Sequence, residues 1–479
     1  MTKYETVIGL EFHAELKTKT KIFCSCPTSF AGEPNTRVCP ICLGMPGVLP
    51  VLNRHAVELA VKAGIALNCE ISEKSQFDRK NYFYPDLPKA FQTTQYPLPI
   101  CRNGHLVIKD AEGNDKTIRI NRIHMEEDAG KLVHGGESIL SSSYSLPDYN
   151  RAAVPLIEIV TEPDISTAEE ARAFAEQLRT ALDYAGVSDV KMEQGSLRCD
   201  VNISLRPEGQ AEFGTRTEVK NLNSMRAIER VIKYEQTRQA EVLDDGGKII
   251  QETLNWDDAA GVALPMRSKE NAHDYRYFPE PDLPPVIVSR EWAMQLASEL
   301  PEMPTARKER LMNELGLSEY DATQIVANPA LAFFFDDVNR ILNDAKMVAN
   351  WLLGDICRIL NLRGEEKIII DCADFAELLK KVKGGEINNT SAKTVLEEMF
   401  ATGKPCAEII KEKGFAQISD TSALEKAADE IIAANPQPVA DFKGGKEAAL
   451  GFLVGQVMKA TRGQANAAMV KDLLRKKLS

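Results

Sequence analysis

The sequence lacks the long apolar segments of membrane and secreted proteins. No apolar run approaches the ~18 residues that cross a bilayer. The N-terminus, residues 1–6, has no apolar signal region. With 44% hydrophobic and 27% charged residues, the composition is that of an ordinary globular protein. We therefore expect a cytoplasmic protein with no membrane segment.

The familiar nucleotide-binding motifs are also missing. The sequence contains no Walker A motif, no GxGxxG and no kinase catalytic-loop signature. An ATP site in this chain would therefore be of another kind.

Ten cysteines in 479 residues do not suggest a disulfide scaffold, which belongs to short secreted domains. Four of them form the pattern C-x-C-x12-C-x2-C: Cys24, Cys26, Cys39 and Cys42. Two close pairs of thiolates suit tetrahedral Zn²⁺, and a closed set of four implies a structural metal. The alternative is that Cys39 and Cys42 form a redox pair. We predict a zinc knuckle and expect the other six cysteines to be reduced.

The length of the chain and the change in residue pattern along it predict two to four domains. Up to about residue 290, short β-branched runs alternate with helices, and the proline-rich residues 279–285 then mark a boundary. In this region we predict a helix that begins with a capping box at Ser166 and Thr167 and buries Phe174, Leu178 and Leu182. We predict a second helix that is capped by Ser224 and carries Ile228, Val231 and Ile232 on one face.

Amphipathic helices follow the boundary, and we expect Asn466 to cap a final helix that buries Met469, Leu473 and Leu478. We predict an α+β fold: a mixed α/β N-terminal domain with a zinc knuckle (1–292), then two mainly helical domains (293–405 and 406–479).

Charge is distributed unevenly. The net charge is −12, yet residues 443–479 carry eight Lys or Arg against two acids, or +6. A basic tail on an acidic chain suggests a phosphate-bearing partner. Lys459 and Arg462 precede a glycine turn and are our candidates for that contact. The alternative is a solvated helix face.

Acidic residues interrupt apolar strand-like segments in the N-terminal region. Glu11 and His13 lie two apart, so on a strand they face the same side. A carboxylate in an apolar strand is costly unless it is paired or bound to a cation. The candidates for a shared Mg²⁺ and phosphate site are Glu11, His13, Glu127, Glu158, Asp200 and Glu218. Each acid could instead pair with an arginine, namely Arg151, Arg198 or Arg216. These residues alone indicate a metal-dependent enzyme with a zinc knuckle.

Eight longer segments of the sequence resemble a known family. They are residues 8–13, 77–89, 124–131, 148–160, 195–202, 214–224, 274–285 and 451–463. Together they resemble the B-subunit family of the bacterial glutamyl/aspartyl-tRNA amidotransferase, over nearly the whole chain. One departure is Ala153, where that family usually has glycine.

The resemblance implies an ATP-dependent ligase. Its N-terminal domain would be a cradle-like catalytic domain that phosphorylates the side-chain carboxylate of misacylated Glu-tRNA(Gln), Asp-tRNA(Asn) or both. A partner amidase (A) subunit would release ammonia from glutamine, and a small C subunit would complete a heterotrimer.

The resemblance also assigns roles to residues. It implies a primary Mg²⁺ site on His13, Glu127 and Glu158, with Glu11, Asp200 and Glu218 completing the acidic cluster. Lys80 and Lys89 would contact phosphate or control the ammonia path, and the C-terminal domain would bind tRNA. Two rival hypotheses are a non-catalytic tRNA-binding scaffold and a phosphotransferase acting on a small metabolite.

Overall fold

The computed structural model describes residues 3–29, 32–135, 144–268, 275–365, 367–415, 421–461, 465 and 467–478. The chain divides into two compact units, residues 1–304 and 305–479. The first is built on β-sheet and the second on helices, so the predicted fold class is confirmed. The division into three domains at residues 292 and 405 remains a prediction.

A nine-stranded sheet organises the N-terminal unit, in the order β14-β13-β12-β11-β1-β10-β7-β6-β2. Neighbouring strands are antiparallel except β12 and β13, which are parallel. The strands are β1 Tyr4–Glu15, β2 Glu70–Ile71, β6 Cys101–Lys109, β7 Asp115–Glu127, β10 Pro155–Thr161, β11 Leu197–Pro207, β12 Thr217–Leu222, β13 Glu252–Asp257 and β14 Val262–Ser268.

Three small sheets accompany the large one: β15-β4-β5, β16-β3 and β8-β9. Their strands are β3 Lys74–Ser75, β4 Asp78–Asn81, β5 Phe91–Thr94, β8 Lys131–His134, β9 Ser145–Asp148, β15 Phe278–Pro279 and β16 Val286–Ile287.

In the described part of the N-terminal unit, the α-helices are α1 Arg54–Ala66, α2 Ala168–Tyr184, α3 Met225–Asp244 and α4 Arg290–Ser298. Helix α2 begins as the sequence predicts, because the Thr167 hydroxyl accepts from Glu170 N–H and the Glu170 carboxylate accepts from Ser166 N–H at 2.8 Å. Its apolar face contributes Phe174, Leu178 and Leu182 to the core, all fully buried. Burying each such side chain stabilises the fold by roughly 1.5–3 kcal/mol.

Helix α3 packs beside α2 and against β11. Ser224 is its N-cap, and Ile228, Val231 and Ile232 are buried, as predicted. One face of the sheet is thus covered by helices. On the central strand β1, the apolar Ile8, Leu10 and Phe12 are buried and alternate with Glu11 and His13, which lie on the opposite face.

The C-terminal unit is helical. Its helices are α5 Pro304–Asn313, α6 Glu319–Val326, α7 Pro329–Leu342, α8 Ala345–Trp351, α9 Cys357–Arg363, α10 Cys372–Lys383, α11 Asn389–Thr402, α12 Cys406–Lys413, α13 Thr421–Ala434, α14 Pro436–Lys443, α15 Glu447–Ala460 and α16 Ala467–Leu478. Helices α13, α15 and α16 share a hydrophobic cluster that includes Leu453, Val457 and Leu474. Among the residues described, no helix is long and apolar enough to cross a membrane.

Candidate active site

The four cysteines of the predicted knuckle come together. The Sγ atoms of Cys24, Cys26, Cys39 and Cys42 all lie within 4.8 Å of one another. All ten cysteines of the chain are free thiols. Four sulfur donors at this spacing fit Zn²⁺, whose bonds to sulfur are about 2.3 Å long. The thiol hydrogen bond from Cys24, with the Cys39 N–H and the Lys21 ammonium, lowers the pKa of Cys42 to about 5.

The knuckle also contacts its surroundings. Lys21 is fully buried, and its Nζ lies 3.7 Å from Cys42 Sγ and donates to the Tyr149 carbonyl at 3.2 Å. Gly44 has φ +65°, and a Cβ there would lie 2.3 Å from Lys89 Cγ. A glycine at this turn therefore lets the knuckle approach the stem of Lys89.

A first group of ligand atoms lies on three adjacent strands. His13 on β1 stands opposite Glu158 on β10, and Glu158 stands opposite His124 on β7. His13 Nε2 is 3.5 Å from both Glu126 Oε1 and Glu158 Oε2. His124 Nε2 is 3.2 Å from Glu158 Oε2. We call His13, Glu126 and Glu158 the histidine group.

Electrostatics in the histidine group favour a cation. Burial would lower the pKa of His13, but the hydrogen bond and charge of Glu158, with the charge of Glu126, raise it to about 9. Burial would raise the pKa of Glu158, but His124 and His13 hold it well below its usual range. The positive charges of His13 and His124 thus keep the Glu158 carboxylate ionised. A bound divalent cation could do the same.

A second group of three carboxylates lies beside the first. Glu11 on β1 stands opposite Asp200 on β11, and Glu218 is on the next strand, β12. One carboxylate oxygen of each lies within 4.8 Å of the others. Lys220 Nζ donates to Asp200 at 2.6 Å and lies 3.3 Å from Glu218. We call Glu11, Asp200 and Glu218 the carboxylate group.

The carboxylate group suits Mg²⁺, which prefers oxygen ligands. Burial raises the pKa of Glu11, and the neighbouring charges of Glu158 and Glu218 raise it further. Negative charge therefore outweighs positive charge around Glu11. Asn202 Nδ2 donates to Glu11 at 2.9 Å. The other amide atom, Asn202 Oδ1, is buried without a hydrogen-bond partner among the described residues. A buried oxygen without a donor beside Glu11 would offer a further ligand to a hard cation.

A cavity of about 550 Å³ opens beside the carboxylate group. Its lining includes Gly9, Glu11, Asn202, Phe213 and Arg216. The Phe213 ring is 61% exposed, and Arg216 is exposed as well. An aromatic ring and a guanidinium next to acidic ligands offer partners for a base and for phosphates.

The comparisons with known proteins agree over the whole chain. Residues 6–294 match the profile of the GatB/GatE catalytic domain, and residues 333–478 match that of the GatB domain. The chain is 54% identical to the B subunit of the aspartyl/glutamyl-tRNA(Asn/Gln) amidotransferase of Carboxydothermus hydrogenoformans, over 100% of both chains. It belongs to the GatB family. The B subunits of the same enzyme from Caldicellulosiruptor saccharolyticus and Moorella thermoacetica are 55% and 54% identical over at least 99% of each chain.

Membership of the GatB family makes this chain a subunit of a ligase of the amidotransferase class, as the sequence predicts. His13, Glu158, Glu11, Asp200 and Glu218 all fall within the two groups, which share the same face of the GatB sheet.

Glu127 lies outside both groups. Lys89 Nζ donates to its carboxylate, and Thr93 N–H donates to the same Oε1 at 2.8 Å. The third ligand of the histidine group is instead Glu126. Glu127 is thus separate from the ligand atoms that cluster around His13, because neighbouring strand residues point in different directions. Its assignment to Mg²⁺ remains a prediction.

The two predicted lysines have aromatic neighbours. Lys89 Nζ lies 4.8 Å from the ring centre of Phe91 and donates to Thr93 Oγ1 at 3.2 Å. Lys80 Nζ lies 4.8 Å from the ring centre of Tyr275 and 5.5 Å from that of Tyr82.

Arginine pairing is the alternative explanation for the acids. Arg151 Nε and Arg198 Nη2 lie 3.3 and 2.9 Å from Asp128 Oδ2, so these two arginines serve an acid outside both groups. Arg216 lines the cavity.

The site residues chosen from the sequence leave out Glu126, His124, Asn202 and Lys220. The sequence does contain a signal for the first two. His124 and Glu126 are two apart on a predicted strand, just as Glu11 and His13 are, so both pairs place two ligand-type side chains on one face. Finding Asn202 and Lys220 needs the register of β11 and β12, which the sequence does not provide.

At the other end of the chain, Lys459 is exposed in the last turn of α15. Arg462 lies outside the described residues. Several other basic side chains of the tail have acidic partners: Lys477 Nζ is 2.7 Å from Asp429, and Arg475 Nη2 is 3.0 Å from Glu447. Lys443, Lys471 and Lys476 are exposed.

Proposed function

We propose that this chain uses ATP to phosphorylate the side-chain carboxylate of Glu-tRNA(Gln), Asp-tRNA(Asn) or both, and then lets ammonia displace the phosphate to give the amide. An amidase (A) subunit supplies the ammonia from glutamine, and a small C subunit completes a heterotrimer. Residues 1–292 form the catalytic domain, 293–405 a helical domain and 406–479 the tRNA-binding domain.

The observation that carries this proposal is the pair of ligand groups on one sheet face, joined through Glu11 and His13 of the central strand β1. A carboxylate is a poor acyl donor until it becomes an acyl phosphate. Phosphoryl transfer depends on positioning and on neutralising phosphate charge. When bound, Mg²⁺ would supply that neutralisation. The two groups provide adjoining places to hold it.

In this proposal the carboxylate group holds Mg²⁺ with the ATP phosphates, because its donors are oxygens and the cavity adjoins it. Asn202 adds its side-chain oxygen, and Lys220 limits the repulsion among the acids. Phe213 and Arg216 on the cavity wall would bind the remainder of the nucleotide. The histidine group would hold a second divalent ion, and His13 and Glu158 would thereby place positive charge where the substrate carboxylate binds.

Lys89 and Glu127 fit a role on the ammonia path. Their ion pair is largely buried, with side-chain exposures of 15% and 4%. A buried pair must separate before a solute can pass, so it can act as a gate. Lys80 is assigned to phosphate contact. Zn²⁺ in the knuckle would fix the turn that contacts Lys89 and would take no part in the reaction, because four thiolates leave no open position.

The test is ATP-dependent amidation by the assembled enzyme with ammonium chloride as the nitrogen donor, which makes the reaction independent of glutamine hydrolysis. We expect Glu158→Gln to lower the rate by at least about 100-fold, the upper range for loss of a residue that supports a metal ligand. Glu162→Gln, just beyond the end of the same strand, is the control and should retain wild-type activity.

The two rivals give different outcomes in that assay. A non-catalytic scaffold predicts that the chain contributes no ATP turnover, so Glu158→Gln would have no effect on rate. A small-metabolite phosphotransferase predicts ATP turnover without tRNA. Either outcome would overturn the proposed function.

A further inference from the structure

Four tyrosines form a partly exposed cluster at the histidine group. Tyr96 and Tyr277 are stacked, with ring centres 4.5 Å apart and planes 9° from parallel. Tyr275 meets Tyr277 edge-on at 6.0 Å, and Tyr82 meets Tyr275 at 5.7 Å. We call Tyr82, Tyr96, Tyr275 and Tyr277 the tyrosine cluster.

The cluster is held by the small sheet β15-β4-β5. Tyr277 immediately precedes β15, and Asn81 at the end of β4 donates to the carbonyl of Arg276 at 2.9 Å. Lys80 of β4 lies over the rings of Tyr82 and Tyr275. Strand pairing and this hydrogen bond therefore hold the segment that carries Tyr275 and Tyr277, and Lys80 places a cation over the rings of Tyr82 and Tyr275.

The same small sheet adjoins the histidine group. Thr94 of β5 donates to Glu126 Oε2 at 3.3 Å. Burial raises the pKa of the Tyr277 hydroxyl, and the nearby charges of Glu158 and Glu126 raise it further. The tyrosine cluster thus stands next to the place where the substrate carboxylate would react.

The rings are not core residues. Tyr96 is 47% exposed, and Tyr277, Tyr275 and Tyr82 are only partly buried. Exposed, rigidly held aromatic rings beside a lysine are the usual platform for unpaired nucleobases, since bases stack on rings and phosphates meet the cation.

We propose that the tyrosine cluster binds the unpaired 3′ end of tRNA by stacking on its terminal adenosine. This inference rests on the proposed function. The carboxylate to be activated belongs to an amino acid esterified to the ribose of that adenosine, so a site that activates the carboxylate must hold the nucleotide close by. The cavity at Phe213 serves ATP at the carboxylate group, and the tyrosine cluster serves tRNA at the histidine group.

The experiment measures binding of one tRNA, with and without its terminal adenosine, to the assembled enzyme. Wild type should bind the complete tRNA more tightly, by about 5- to 150-fold, the range for loss of one stacked base. Tyr96→Leu should remove most of that difference by weakening only the complete tRNA. Tyr96→Phe retains the ring and should retain the difference. Tyr320→Leu, an exposed tyrosine of α6, is the control and should also retain it.

Tyr277→Leu should act as Tyr96→Leu does, and thermal melting shows whether it folds. If it does not fold, the two Tyr96 variants decide, because that side chain is half exposed. The inference is overturned if the wild-type enzyme binds tRNA equally tightly with and without the terminal adenosine. It is also overturned if the Tyr96→Leu variant retains the full difference in affinity between the two tRNAs. Neither result depends on ATP or turnover, so each is separate from failure of the proposed function, which the amidation assay reports.

Discussion

Glu126 and Glu127 are consecutive on β7, yet they serve different partners: Glu126 Oε1 is 3.5 Å from His13 Nε2, whereas Glu127 accepts hydrogen bonds from Lys89 and from Thr93 N–H. Successive side chains of a strand point in different directions, so adjacent acids can contact different partners. One of them completes a candidate metal site, and the other holds the lysine that contacts the knuckle.

This relationship predicts different defects for two substitutions of equal size. Glu126→Gln should abolish divalent-metal binding at the histidine group, because an amide oxygen carries no charge. Glu127→Gln should leave that binding near wild type and release Lys89, so that glutamine-dependent amidation falls more than ammonium-dependent amidation. Calorimetric titration with Mn²⁺ and the two assays separate these effects. If Glu127→Gln loses the metal and Glu126→Gln retains it, Glu127 is the ligand, as the sequence-based assignment has it.

The acidity of His13 predicts how metal binding varies with pH. Its pKa of about 9 means that the metal-free imidazole is protonated at neutral pH, and the proton must leave before nitrogen can bind a metal. Affinity at the histidine group should therefore rise about tenfold per pH unit up to pH ~9 and then level off. His13→Gln should remove this dependence. Mn²⁺ affinities that stay flat between pH 7 and 9 in wild type would contradict the prediction.

The knuckle predicts one zinc ion per chain. Cys39→Ser should reduce the zinc content to near zero and lower the unfolding temperature, because metal binding and folding of such loops are coupled. Cys372→Ser, a half-buried cysteine of α10, is the matched control and should retain the metal. Metal analysis of the purified protein checks both. Zinc-free wild-type protein with freely alkylated Cys24, Cys26, Cys39 and Cys42 would favour the redox pair instead.

Much of the fold could be predicted because it depends on local patterns. Thr167 and Ser224 cap the helices expected of them, and the apolar residues of α2 and α3 are buried as their spacing indicates. In α16 the prediction is less accurate: Met469 is 45% exposed, Leu473 is half buried, and Val470, Leu474 and Leu478 form the core face. The expected cap of that helix, Asn466, lies outside the described residues. Cross-strand register, which brings Glu11 to Asp200 and His13 to Glu158, depends on long-range pairing that local patterns do not contain.

The one departure from the family pattern predicts a stabilising substitution. Ala153 is 3% exposed and has φ +65°, a conformation that costs a residue with a Cβ about 1–2 kcal/mol. Ala153→Gly removes that strain but adds about 0.4–1 kcal/mol of unfolded-state entropy. The net change should raise the free energy of unfolding by roughly 0–1.6 kcal/mol. Denaturant titration checks it, with Ala152→Gly as the control, which should destabilise. An Ala153→Gly variant less stable than wild type would refute the strain argument.

The basic tail predicts a salt-dependent contribution to tRNA binding. Lys459 is exposed at the end of α15, where an ammonium can reach the phosphates of a folded tRNA without reading its bases. Lys459→Ala should weaken tRNA binding and flatten the log–log dependence of affinity on salt by roughly 0.7–0.9, the contribution of one phosphate contact. ATP and Mg²⁺ binding should not change, because their proposed ligands belong to the N-terminal unit.

Lys380→Ala is the control, since Lys380 is also an exposed lysine in the last turn of a helix but lies outside the tail. Filter binding at several salt concentrations gives both slopes. If the Lys459→Ala variant has the same affinity and salt slope as wild type, like the control, Lys459 is only a solvent-exposed residue of the helix and does not contact tRNA.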